Sequence, residues 1–96
     1  MSKLLLTPLA EADLDEILDY IAQHRPHAAV TVIARIREKC ALLASQPLIG
    51  QQRPEFSGNY RSFPVDRWVI FYRVRGEAVE IHRIIDGARD LDSLIG

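Results

Sequence analysis

The chain changes its hydrophobic period near the middle, and this feature constrains the fold more than any other. Between residues 8 and 45 the apolar residues recur every three or four positions, which is the spacing of an amphipathic helix. Beyond residue 60 the sequence is rich in β-branched and aromatic residues, which is typical of strands. Helices first and strands later predict an α+β fold, with the helices on one face of a sheet.

Two helices are predicted in the first half. A short apolar run at residues 3–6 forms a strand that leads into Thr7 and Pro8, a hydroxyl cap followed by a proline in the first helical turn. This signal starts a helix over about 8–24, and a second proline starts another over about 26–45. The two helices follow each other so closely that they form an antiparallel hairpin.

Three strands are predicted in the second half, at residues 60–65, 67–75 and 78–85, separated by tight turns. They form an antiparallel meander, and the first strand joins this small antiparallel sheet at an edge. The predicted order is β-α-α-β-β-β. A chain of 96 residues is too short for two independent domains, so residues 1–96 are expected to form one.

The strand predicted at 67–75 is apolar on both faces. Its apolar residues are Trp68, Ile70 and Tyr72 on one face and Val69 and Phe71 on the other. A helical hairpin covers only one face of a sheet, so the other face needs the tail at 86–96 or another molecule. We therefore expect a partner-binding surface there, and self-association of the isolated chain. The five acids of the first helix are expected to form a solvated face.

Charge and cysteine content exclude several classes of function. A formal net charge of −1 provides no long-range field for a general nucleic-acid binder. Cys40 is the one cysteine and the three histidines are scattered, so neither a disulfide nor a metal site is expected. No cofactor motif, signal peptide or membrane span is recognised, and a cytoplasmic location is expected.

Five motifs occur in order along nearly the whole chain. They are L-T-P-x-A-x-x-D-L-x-x-I from Leu6, P-x-x-G from Pro47, Y-R-S-F-P from Tyr60, V-I-F-Y-R-V from Val69 and H-R-I-I-D-G-A-R-D-L from His82. Together they resemble the ParE branch of the RelE/ParE toxins of bacterial type II toxin–antitoxin systems. The resemblance implies the same fold and a cognate antitoxin, either ParD-like or another short DNA-binding protein. The C-terminal segment of that antitoxin would lie along the toxin in a hetero-oligomer.

The resemblance leaves three activities open. Members of the RelE branch cleave messenger RNA on the ribosome, but here Val69 and Phe63 stand where such an enzyme has cationic residues, and only Arg61 and Arg89 fit. Arginine titrates too high to be a general base near neutral pH. The first interpretation is therefore a non-enzymatic inhibitor of DNA gyrase. The alternatives are a ribosome-dependent endoribonuclease, with His82 as its base, and an inert partner-binding relative.

Candidate functional residues lie mostly on the predicted meander. The residues expected to contact a target or an antitoxin are Arg61, Trp68, Val69, Phe71, Arg73, Arg75, Arg83 and Arg89. The catalytic candidates, if the chain is an enzyme, are Arg61, His82 and Arg89. Two structural roles compete with these assignments. The strand arginines could form surface ion pairs with nearby acids, and Arg89 could pin the tail to the sheet.

Overall fold

The computed structural model describes residues 3–89, which form two helices and a five-stranded sheet. The elements are β1 (Lys3–Leu6), α1 (Pro8–His24), α2 (Pro26–Ser45), β2 (Gln51–Gln52), β3 (Arg61–Val65), β4 (Trp68–Arg75) and β5 (Ala78–Asp86). Both helices have the predicted bounds, and the predicted α+β fold is confirmed. The short strand β2 lies within the region that the sequence pattern predicts to be a loop.

The start of α1 is fixed by Thr7. The Thr7 hydroxyl accepts a hydrogen bond from the Ala10 amide at 3.1 Å and donates one to the His82 carbonyl at 2.8 Å. The first contact caps the helix and the second attaches it to β5. Arg25 alone separates the two helices, which pack against each other as the predicted hairpin. Neither described helix is long and apolar enough to cross a membrane.

The strands lie in the order β1-β5-β4-β3-β2. The last four are antiparallel neighbours, whereas β1 pairs in parallel with β5, so that Leu6 is opposite Ile81. The sheet is therefore mixed, where the sequence analysis expected an antiparallel one. A helical crossover separates β1 from the meander, and such connections join parallel strands in one sheet. The predicted edge position of β1 is confirmed.

The main core lies between the helical hairpin and one face of the sheet. Leu14 and Ile36 contribute from the helices, and β4 contributes Trp68, Ile70 and Tyr72, which share one face of the strand as the sequence predicts. A β-bulge shifts the register between β4 and β5, with Phe71 opposite Arg83 and Tyr72 opposite Ile81. The bulge adds one residue to β5, which is why Ile81 and Ile84 both belong to the core although they are three positions apart.

The second face of the sheet is covered differently from the expectation. Phe71 is fully buried, because Phe56 packs edge-on and Tyr60 stacks against its ring, each with a centroid distance of 5.1 Å. Both rings belong to the segment between β2 and β3, most of which the sequence pattern predicts to be a polar loop. The expectation that only the tail or another molecule could cover this face is thus wrong at Phe71. The part of the predicted tail beyond residue 89, with the Leu91 and Leu94 that were expected to cover this face, lies outside the described residues.

Candidate protein-binding site

The turn after α2 is held in place by Tyr72 from β4. The buried Tyr72 hydroxyl accepts a hydrogen bond from the Gly50 amide at 2.9 Å and donates one to the Pro47 carbonyl at 2.8 Å. A Cβ atom at Gly50 would lie 2.3 Å from the Tyr72 oxygen, so only glycine fits this approach. The P-x-x-G motif is therefore the sequence signature of a loop fastened to the sheet.

Arg61 from β3 fastens the same loop from a second side. Its Nη1 atom donates to the Gly50 carbonyl at 2.8 Å and to the Leu48 carbonyl at 3.2 Å. The loop presents two aliphatic side chains to solvent, with Leu48 69 % exposed and Ile49 44 % exposed. The predicted binding residue Arg61 thus lies in the candidate site, where its described contacts are with the loop backbone.

A cleft of about 630 Å³ lies beside this loop. Its lining includes Leu48, Val74 and Tyr60, together with the arginines Arg53 and Arg61. Among the residues that the structure describes, none of those lining the cleft is acidic. The cleft is therefore cationic and partly apolar, a combination that suits an acidic ligand with an apolar group.

The predicted arginines of β4, Arg73 and Arg75, form ion pairs with Glu80. Arg73 donates to Glu80 at 3.0 Å, and its guanidinium lies 5.0 Å from the centroid of the Tyr60 ring. Arg75 reaches the same carboxylate at 3.4 Å. Both arginines therefore have the ion-pair role that the sequence analysis kept as an alternative. A role in partner binding stays a prediction for them.

Arg83 faces into the molecule and binds Asp13 of α1. The two side chains form a bidentate pair with N to O distances of 2.8 and 2.9 Å, and the Asp13 carboxylate also accepts the Ile84 amide at 2.9 Å. Asp13 is only 6 % exposed, so the expectation that all five acids of α1 are solvated is wrong for it. The hydrogen bonds from Arg83 raise the pKa of its guanidinium.

His82 lies half-buried at the bulge of β5, 5.2 Å from the Tyr60 ring. Burial lowers the pKa of its imidazole, with smaller contributions in the same direction from Arg73 and Arg83. The ring is therefore neutral at neutral pH. Arg89, the third catalytic candidate, is exposed, and its backbone amide donates to the Asp86 carbonyl at 3.0 Å.

The predicted apolar contact residues are less accessible than expected. Trp68 belongs to the main core, where the Arg67 guanidinium stacks 5.0 Å from its ring centroid, and Phe71 is buried under the loop. Val69 is half-buried. The sequence analysis did not select Leu48 or Val74, although the P-x-x-G motif that brackets the exposed loop was visible.

Comparisons with known proteins agree with this architecture. Residues 4–91 match the family described as ParE toxin of type II toxin–antitoxin system, parDE. Toxin ParE3 of Caulobacter vibrioides is 30 % identical over 97 residues, which cover 100 % of this chain and 97 % of that protein. Toxin ParE1 of Mycobacterium tuberculosis is 29 % identical over 93 residues, covering 95 % of each.

A solved structure is also similar. The Chromosomal ParDE TA system from P. aeruginosa superposes with a TM-score of 0.78 and 30 % identity, covering 90 % of this chain and 96 % of that one. The fold and the sequence together define a toxin of the type II toxin–antitoxin class. Within that class, the chain belongs to the ParE toxin family. The resemblance seen in the sequence is thus confirmed.

Proposed function

We propose that this chain is a toxin that arrests growth by binding DNA gyrase and inhibiting it, without an enzymatic activity of its own. Membership of the ParE family supports the toxin part of the proposal. The proposed target and the absence of catalysis depend on the chemistry of the candidate site.

The proposal rests on the observation that arginines on the sheet are already bound to groups of the protein itself. A ribonuclease of this fold must surround a phosphate with cations and provide a titratable base. Arg61 donates to two loop carbonyls, and Arg83 forms a bidentate pair with Asp13. Positions 63 and 69 carry Phe and Val, which can neither bind a phosphate nor move a proton. These groups favour binding to a protein over phosphoryl transfer.

One observation favours ribosome-dependent RNA cleavage as a second candidate. Burial holds the pKa of the His82 imidazole below its ordinary value, and Arg73 and Arg83 act in the same direction against the carboxylates of Glu80 and Asp13. A neutral imidazole beside cations is a feasible general base for a 2′-hydroxyl. The two candidates predict different damage in cells.

Two assays on the intact chain separate them. We expect the purified protein to inhibit supercoiling by gyrase and to trap cleaved DNA, whereas relaxation by a type I topoisomerase serves as the control and is unaffected. Primer extension on a translated message in induced cells should show no codon-phased cuts. Such cuts, if they disappear in His82→Ala, would replace gyrase with the ribosome. If the protein neither inhibits gyrase nor causes such cuts, the third interpretation, an inert partner-binding relative, is the one that stands.

We also propose a cognate antitoxin, encoded by a neighbouring reading frame as a ParD-like or other short DNA-binding protein. The similar structure from P. aeruginosa is that of a ParDE TA system, which supports a partner of this kind. Co-expression should yield a hetero-oligomer, and adding the antitoxin to the gyrase assay should restore supercoiling. Failure of every neighbouring short frame to bind the chain would contradict this part of the proposal.

A further inference from the structure

The loop at residues 47–50 combines rigidity with exposed apolar surface. Four hydrogen bonds hold it: the Tyr72 hydroxyl accepts one and donates one, and the Arg61 guanidinium donates two. The side chains that it presents, Leu48 and Ile49, are nevertheless exposed. Exposed apolar groups on an ordered backbone are typical of a binding surface, because little conformational entropy is lost when a partner is bound.

The cleft beside this loop specifies the chemistry of the partner. Val74, 42 % exposed, joins Leu48 as a second exposed aliphatic side chain in the lining of the cleft. Arg53 lines the cleft as well, half-buried, with its Nε atom on the Ser62 hydroxyl at 2.8 Å and one Nη atom on Glu55 at 3.1 Å. Glu55 offsets part of the charge of Arg53, but Arg61 is a second arginine in the lining, so the net positive charge still attracts an acidic partner and repels a basic one.

We propose that the 47–50 loop and its cleft bind an acidic peptide segment that carries an aliphatic or aromatic anchor. The anchor packs on Leu48 and Val74, and the carboxylates of the segment face Arg53. Arg61 is a positioning residue, since its hydrogen bonds set the loop backbone that carries Leu48. The inference rests on the proposed protein-binding function, but it does not depend on gyrase being the target.

Selection from a phage-displayed library of random peptides tests the ligand chemistry. We expect the intact chain to enrich peptides of net negative charge that contain a large apolar residue. Replacing an exposed aliphatic contact removes buried apolar area, so Leu48→Ser should weaken binding of a selected peptide by about tenfold. Val30→Ser is the matched control, because Val30 is an equally exposed aliphatic residue on α2 that does not line the cleft.

Two variants of Arg61 test its positioning role. Lysine keeps the positive charge but lacks the guanidinium geometry that reaches both carbonyls, whereas glutamine removes the charge. For a positioning residue, Arg61→Lys and Arg61→Gln should weaken peptide binding to a similar extent, and both should shift the methyl NMR signals of Leu48 and Ile49. Full binding by Arg61→Lys with unshifted signals would instead make Arg61 a direct charge contact and overturn its assignment.

Three outcomes would overturn the proposed ligand. They are no enrichment of peptides, enrichment of basic or uncharged peptides, and equal binding by wild type and Leu48→Ser. The gyrase assay is independent of these results. A chain that binds acidic peptides but leaves gyrase active would keep this site and reject the proposed target.

Discussion

Asp13 takes the place of a missing strand at the outer edge of β5. The parallel partner β1 ends at Leu6, opposite Ile81, and leaves the rest of this edge without a neighbouring strand among the described residues. Asp13 then accepts the Ile84 amide, and the Thr7 hydroxyl donates to the His82 carbonyl. Side chains at the start of α1 therefore satisfy backbone groups that a longer β1 would have paired.

Removing this carboxylate should destabilise the fold strongly. Asp13→Ala leaves Arg83 without its carboxylate partner and the Ile84 amide without an acceptor, and breaking such a buried pair costs about 3 to 5 kcal/mol. Urea unfolding followed by circular dichroism measures the loss. Asp15→Ala is the matched control, since Asp15 is an exposed acid of the same helix and its removal should change stability by less than about 0.5 kcal/mol.

A graded result is expected from Asp13→Asn. Its amide oxygen can still accept one hydrogen bond but carries no charge for Arg83, so its stability should lie between those of the wild type and Asp13→Ala. If Asp13→Ala proved as stable as Asp15→Ala, the pair with Arg83 would contribute nothing to folding.

The sequence analysis missed the burial of Asp13, although the position of this residue on the helix could have shown it; its partner could not be found from the sequence. Position 13 falls on the same helical stripe as Ala10, Leu14 and Ile17, all of which are buried. A carboxylate on that stripe is not part of a solvated face, and it needs a partner because burial of an unpaired charge is costly. Arg83 lies 70 positions away, and only the three-dimensional packing of α1 on β5 shows that the two meet.

At the scale of elements, α2 places Cys40 in the core, where it should make stability sensitive to alkaline pH. Burial raises the pKa of the Cys40 thiol to about 11 from an ordinary value of 9.0. Above pH 9 the unfolded chain therefore loses this proton while the folded chain retains it, so stability falls as the pH approaches 11. The loss from this group is about 2 to 3 kcal/mol.

Urea unfolding from about pH 8 to about pH 11 measures this effect. Cys40→Ala should flatten the decline, even if the variant is less stable at pH 8. Burial also raises the pKa of Tyr72, which lowers stability in the same direction only above about pH 10. The wild type and Cys40→Ala are therefore best compared below that pH. An equally steep decline in Cys40→Ala would assign the alkaline loss to other groups.

The long elements were predictable because they carry strong periodic signals. Helix α2 has the expected bounds, yet Ile36 is fully buried and Ile33 only half-buried, although both fall on its apolar stripe. The difference depends on where the hairpin meets the sheet, which no local pattern encodes. Strand β2 was missed because two residues, Gln51 and Gln52, are too few to show a period.

At the scale of the whole molecule, both faces of the sheet are covered around β4. Phe56→Ala should uncover Phe71, at a cost of about 3 kcal/mol for the lost ring. We expect this variant to bind more hydrophobic dye than the wild type and to self-associate more strongly. Pro54→Ala, an exposed change in the same loop, is the control.

Strong dye binding by the wild type would contradict this expectation. It would restore the exposed apolar face that the sequence analysis inferred from the two apolar sides of β4. That inference correctly identified a strand with two covered faces, but the cover over Phe71 came from aromatic residues in a segment rich in Pro, Gly and polar residues. Hydrophobic content alone did not show that this segment packs on the sheet.

The parallel pairing of β1 with β5 has a consequence for synthesis of the chain. Lys3 is opposite Ala78, so β1 stays without its partner strand until β5 has been synthesised. The helical hairpin can form early from local contacts, but the sheet that covers its apolar face is complete only after β5 has left the ribosome. The native packing of the helical hairpin on the complete sheet therefore cannot form on a nascent chain until β5 has been translated.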